Sequence, residues 1–298
     1  MLIVSRMFSP NSDFASDLVP STGQLPRRRV GCALLSLCGL LGGCSGTSYL
    51  AQKDLAYVSG GGVRQQGDLY LPEGKGPHPA AVVIHGGGWV GRDRSDMIDV
   101  AELLAARGYA AFNVNYRLAP EHHFPAQLDD IHAALSYLRD QSAEHRLDPD
   151  RIITVGYSSG GHLALLAAGL PDPDGPAVRG VLAGGAPTDL LLYPESPYIL
   201  KLIGEAPEQA REQWTRASPL THAKANHPPV YLYHAYWDRI VDPRHAQLME
   251  ASLEASGVPV RYEKRYLLGH LLLGIWQEPS IRRGIDFLES RMPLAPCK

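Results

Sequence analysis

A mainly parallel α/β sheet with helices on both faces is the fold class this sequence predicts, and three observations predict it. Short apolar runs rich in β-formers recur at residues 80–84 (AAVVI), 110–115, 151–155, 181–183 and 230–234. They are apolar throughout rather than alternating, as strands covered on both faces should be. Segments of helical period separate them, and strand–helix alternation is the signature of a parallel sheet. Finally, 298 residues with 45% hydrophobic and 20% charged content suffice for one large buried core.

The chain begins with a polar prefix, residues 1–26, followed by Arg27-Arg28-Arg29 and an apolar run at 30–41. That run is too short to span a bilayer, which takes about 20 residues. A basic flank, a short apolar core and then small residues form the pattern of a secretory signal. Leu41-Gly42-Gly43-Cys44 resembles a bacterial lipobox, so residues 1–43 are expected to be a leader and Cys44 the lipidated residue. By the same resemblance, Ser45 favours the outer membrane. Residues 44–58 are expected to act as a tether, and residues 59–298 as the catalytic domain.

Within that domain the elements follow in order. Residues 80–84 read as a buried strand. Residues 96–107 read as a helix stopped by Gly108, and 110–115 as the next strand. Leu128, Ile131, Leu135 and Leu138 recur at spacings of three and four, one face of a helix over 125–139. The strand at 151–155 runs into a helix at 162–168, and 181–183 is a further strand. Residues 188–218, with prolines, aromatics and helical pieces, are expected to be a small lid. The strand at 230–234 leads to a helix at 245–256 stopped by Gly257, and 260–266 reads as the last strand. Ligands of such sheets bind at the carboxyl ends of the strands, so the loops after each strand are the place to look for chemistry.

The loop after 151–155 is Gly156-Tyr157-Ser158-Ser159-Gly160. A bare G-x-S-x-G is a weak signal, but strand, turn and helix around it make it a nucleophile elbow. Ser158 stands at its centre as the candidate attacker, and the Ser159 N–H is a candidate oxyanion donor at the helix start. After the strand at 80–84 comes His85-Gly86-Gly87-Gly88-Trp89. Three glycines let backbone N–H groups face a ligand, and Gly87 and Gly88 are the expected donors. A serine hydroxyl needs a base, and the base an orienting acid, here in the chain order Ser, Asp, His. His270, after the last strand, is the favoured base. His245 sits in a helical pattern and is expected at the surface. Asp238, just past 230–234, is the favoured acid, with Asp242 its rival as a helix cap.

The stretches HGGGWVGRDRS, NVNYRLAPEHHFPAQLDD, LDPDRIITVGYSSGGHLA, HAYWDRIVDP and GVPVRYEKRYLLGH together resemble α/β-hydrolases of the hormone-sensitive-lipase-like and bacterial feruloyl-esterase-like branches. The resemblance runs from about residue 56 to 288. It implies the α/β-hydrolase fold and a serine carboxylesterase acting through an acyl-enzyme on small acyl or aryl esters. No cofactor and no metal are expected. It also implies that His122, His123, Asp129 and Asp130 are scaffold. Three positions depart from the family pattern: Ala235 replaces a glycine, Leu271-Leu272 replace Gly-Phe, and Tyr157 stands where aspartate is common in the lipase-like branch.

Trp89, Tyr157, Tyr193 and Tyr198 are candidates either for the substrate pocket or for core. An amide hydrolase of the arylformamidase-like or peptidase-like kind on the same triad is the alternative activity, and a catalytically silent binding lipoprotein a further one. The net charge of −3 and the lack of a long basic run give no reason to expect nucleic acid. The expected partners are a small ester and, through Cys44, a membrane.

Overall fold

The computed structural model describes residues 49–292. The leader, Cys44 and Ser45 lie outside the described residues. Eight strands form one sheet in the order β1-β2-β4-β3-β5-β6-β7-β8. They are β1 Tyr49–Ala56, β2 Gln66–Pro72, β3 His78–Ile84, β4 Ala110–Val114, β5 Leu147–Tyr157, β6 Val178–Gly184, β7 Val230–Ala235 and β8 Val260–Arg265. From β4 onward across the sheet every pairing is parallel, while β1–β2 and β2–β4 are antiparallel. This is the α/β-hydrolase arrangement, and the predicted fold class stands.

The helices are α1 Ile98–Ala106, α2 Ala126–Asp140, α3 Ser142–His145, α4 Ser159–Gly169, α5 Pro197–Ile203, α6 Pro207–Arg216, α7 Arg244–Ala255, α8 His270–Ile275 and α9 Glu278–Arg291. The pleat of β3 sends Ala80, Val82 and Ile84 into one core with α2, α4 and α7. Its alternate residues Ala81 and Val83 enter the other core with α1 and α9. A strand feeding two cores must be apolar throughout, which is why these runs did not alternate.

Two elements differ from expectation. Residues 49–56, expected within a tether, form β1, the antiparallel edge of the sheet. Its side chains are half-buried or exposed, so no continuous apolar run marks it. β2 is likewise absent from the predicted strands although almost wholly buried, because Gln66, Gly67 and Asp68 open it. Residues 188–218 carry α5 and α6, each begun by a proline at its first position, where the missing N–H costs no helical bond. Trp214 of α6 is fully buried and its indole N–H donates to Glu205 O at 2.9 Å. The bond ties the two helices of the segment together, and the burial of the Trp214 ring in the core holds the segment against the body.

Candidate active site

β5 ends at Tyr157 and α4 begins at Ser159, leaving Ser158 alone at the corner with φ 56° and ψ −123°. A positive φ is strained for a residue bearing a Cβ. The corner is held by the Ser158 N–H donating to Gly184 O at 2.7 Å. It is possible only because its flanks lack side chains. A Cβ on Gly156 would stand 2.2 Å from Gly160 O, and one on Gly160 would stand 2.1 Å from Ile84 O. The helix therefore starts in backbone contact with two strands, and the Ser158 side chain is lifted above the sheet.

His270 Nε2 lies 3.0 Å from Ser158 Oγ, and His270 Nδ1 lies 2.6 Å from Asp238 Oδ2. These three residues, far apart in sequence, thus share one hydrogen-bonded chain. With the Nδ1 proton given to a carboxylate, Nε2 faces the serine as an acceptor. Asp238 accepts from Ile240 N and Val241 N on Oδ1, both at 2.9 Å, while His234 Nε2 stands 3.2 Å from Oδ2. Burial alone would raise the Asp238 pKa, but the bonds from His234 and His270 outweigh it and hold the carboxyl far below the usual range. His270 opens the short helix α8. Asp242, the rival acid, is exposed and its Oδ1 accepts from Arg244 N at 2.8 Å, a local turn at the start of α7.

The loop after β3 runs beside the corner. Gly87 and Gly88 have φ of 117° and 62°, conformations that glycine adopts without strain. The N–H groups of Gly86, Gly87, Gly88 and Ser159 meet no acceptor among the described residues. Gly86 lies beside the serine: a Cβ there would stand 3.3 Å from Ser158 Cβ. Sequence reasoning passed over Gly86, since three consecutive glycines carry no mark of which one touches the corner. His85 stiffens the loop from below. It stacks on Tyr116 at 4.3 Å, and burial pushes its pKa down to about 4.

Above the corner opens a cleft of about 1190 Å³ bordered by Gly88, Tyr193, Tyr198, Ile240, Leu271 and Ile275. The two other pocket candidates border it but are held in the body. Trp89 is buried with its N–H donating to His162 Nδ1 at 3.2 Å, and Tyr157 donates its hydroxyl to His270 O. Tyr193 and Tyr198 are exposed instead, and the Tyr198 ring lies so close over Gly88 that a Cβ there would stand 2.7 Å from it. α5 thus roofs the glycine loop.

His245 is a correction. It was expected at the surface but is buried, with Nδ1 accepting from Thr188 N at 3.1 Å. The signal was present: His245, Met249 and Leu253 follow at steps of four, the stripe that α7 turns inward. Asp130 is buried against Arg117, with Nη2 2.7 Å from Oδ1. His123 Nδ1 donates to Lys201 O at 2.8 Å. Among the described residues no group of three or more His, Cys, Asp or Glu could hold a metal, and no helix is long and apolar enough to cross a membrane.

The sequence model of a family described as BD-FAE matches residues 67–253. Carboxylesterase NlhH of Mycobacterium tuberculosis (strain ATCC 25618 / H37Rv) is 42% identical over 128 residues, 42% of this chain and 37% of that protein. Esterase LipC of the same organism is 26% identical over 237 residues, 72% of this chain and 54% of that protein. The chain thus spans about half the length, or less, of these curated relatives. Among solved structures, a truncated carbohydrate esterase from gut microbiota superposes with a TM-score of 0.73 at 23% identity, over 84% of this chain and 99% of that one. Esterase B from Lactobacillus rhamnosis, solved with a tributyrin phosphonate, gives 0.70 at 21% identity, over 82% and 87%. These two likenesses are of fold.

Proposed function

The chain belongs to the BD-FAE family, and on that premise we propose that it is a serine carboxylesterase cleaving small acyl or aryl esters. The observation that carries this reading is the continuous chain Ser158–His270–Asp238 at the floor of a mostly apolar cleft. The esterase names of the relatives support it.

In the proposed reaction Ser158 Oγ attacks the ester carbonyl carbon while its proton passes to His270 Nε2. Asp238 holds the imidazole in the tautomer that can accept and steadies the imidazolium that results. The carbonyl oxygen becomes an oxyanion facing the N–H groups of Ser159, Gly87 and Gly88, with Gly86 beside them. Each such donor is worth about 3 kcal/mol of barrier. His270 returns the proton to the departing alkoxide as the C–O bond breaks, leaving an acyl-Ser158 ester. Water, deprotonated by His270, attacks the acyl carbon, and Ser158 leaves with the proton.

Purified protein and its Ser158→Ala variant, assayed on p-nitrophenyl esters from acetate to decanoate, test this. Hydrolysis favouring short chains and lost in the variant is expected. A folded wild-type protein inactive on every ester would move the reading to amide substrates. The basic flank and lipobox-like Cys44 further support an exported, lipid-anchored protein. A palmitate analogue should label wild-type cells and not Cys44→Ala; an unlabelled wild type would remove the anchor.

A further inference from the structure

Two buried imidazoles near Asp238 have no place in the reaction just described. His234 sits in β7 and His245 near the start of α7, and each is only about 1% exposed. Their tautomers follow from their partners. His234 Nε2 lies 2.9 Å from Val241 O and 3.2 Å from Asp238 Oδ2. Both are acceptors, so Nε2 carries the proton and Nδ1 is a bare lone pair. His245 Nδ1 accepts from the N–H groups of Thr188 at 3.1 Å and Asp189 at 3.3 Å. Its proton is therefore on Nε2.

Among the described residues, His234 Nδ1 and His245 Nε2 are both buried and have no protein partner. One is an acceptor and the other a donor. The fold brings the segments carrying the two rings together: Val241, whose carbonyl faces His234 Nε2, lies four residues before His245, and His245 N donates to Asp242 O at 3.0 Å. Leaving a buried donor or acceptor unmatched is expensive, and here each supplies what the other lacks.

We propose that His234 and His245 are a buried pair of positioning residues, in which the His245 Nε2 proton serves the His234 Nδ1 lone pair across one buried water, and His234 in turn fixes Asp238. The inference rests on the serine-esterase reading for its kinetic part. His245 ties one end of the chain to the backbone at Thr188 and Asp189. His234 places a second donor on Asp238 Oδ2, the oxygen that also receives His270. That donor draws charge from the carboxylate, and losing it would strengthen the pull of Asp238 on the His270 Nδ1 proton. Burial, and then the neighbouring His234, push the His245 pKa down to about 4, with Asp242 and Arg244 from its own segment and Asp238 from the preceding loop also facing it. Tyr193 covers it from residues 188–218, rings 5.5 Å apart. His270 itself faces Asp238, Ser158 and the Tyr157 ring at 5.1 Å.

His245→Asn keeps an acceptor for Thr188 and deletes the Nε2 donor. His234→Gln keeps a donor within reach of Asp238, whereas His234→Leu removes it. His245→Asn and His234→Leu should each lower kcat about tenfold with KM changed less than about twofold, and His234→Gln should restore most of the loss. The acid limb of kcat/KM should move up by about half a pH unit in the two impaired variants. An unmoved acid limb, or equal kcat for His234→Leu and His234→Gln, would mean that the rings only fill space and would overturn the proposal. A wild-type measurement stands beside these. Proton–nitrogen correlation spectra at pH 7 should show both imidazoles protonated at Nε2, and His234 Nδ1 at the shift of a hydrogen-bonded lone pair. His234 protonated at Nδ1, or its Nδ1 at the free lone-pair shift, would overturn the pairing. The spectra need neither folded variants nor a substrate, so an inactive wild type would sink the esterase reading separately.

Discussion

Replacing Gly160 with alanine tests how the serine is held. An added Cβ would stand 2.1 Å from Ile84 O and 2.6 Å from His85 O, at least about 1 Å inside ordinary contact. Neither oxygen can yield cheaply, because β3 is paired on both sides and Ile84 is fully buried. The cost falls at the upper end of overpacking, about 3 kcal/mol. At about 2–4 °C per kcal/mol for a domain of this size, melting should fall by roughly 10 °C. Relief of the clash must also push α4 and its Ser158 corner away from the His85–Gly88 loop, and a shift of about 1 Å at reacting groups costs on the order of 100-fold in rate. Gly257→Ala is the control. Gly257 also has a positive φ, 71°, but nothing lies within 4 Å of a Cβ there, so only left-handed strain of about 1 kcal/mol applies. Thermal melts and kcat/KM on p-nitrophenyl acetate read both effects. Gly160→Ala melting within a few degrees of wild type at unchanged kcat/KM would refute the steric account of the corner.

Other perturbations separate chemistry from scaffold. Asp238→Asn should leave the fold intact and lower kcat by about 10³–10⁴-fold, because the amide no longer fixes the accepting tautomer of His270; circular dichroism and turnover on one sample check it. Asp130→Ala should do the reverse, costing about 3 kcal/mol by leaving Arg117 without its buried partner, with kcat of the folded fraction unchanged in a denaturant titration followed by assay. Stability should fall as the pH drops from about 6.5 toward 4. Burial holds His85 and His245 down to about 4 and His162 to about 3, against an ordinary 6.5. The unfolded chain therefore binds more protons in that window, and the stability each neutral ring confers above 6.5 is lost on acidification. Near pH 5 the loss is about 2 kcal/mol per ring, and guanidinium midpoints at pH 7 and pH 5 measure it. Asp238, with its depressed pKa, loses its contribution only further down, below the ordinary carboxylate range.

What the sequence disclosed divides along physical lines. The serine corner was legible because its requirements are local: a buried strand, two glycines that backbone contacts demand, and a helix start. The acid and base were legible as residues just past strands, yet the 2.6 Å and 3.0 Å contacts that join them to Ser158 depend on β5, β7 and β8 lying in register across the sheet. β1 went unread because an antiparallel edge strand needs no continuous apolar run. His245 was misread because a polar side chain on an inward stripe looks the same as one on the surface until its partner appears, here the Thr188 backbone. Trp89 and Tyr157 could be assigned to neither pocket nor core from composition, and it is the bonds to His162 and His270 that anchor them in the body.

The most direct test of the central claim is mass spectrometry of the protein after treatment with a p-nitrophenyl alkylphosphonate. One adduct on the peptide carrying Ser158, absent from Ser158→Ala and matched by stoichiometric loss of ester hydrolysis, is the result this account predicts. An adduct on another residue, or a Ser158→Ala variant that still hydrolyses esters at the wild-type rate, would contradict it.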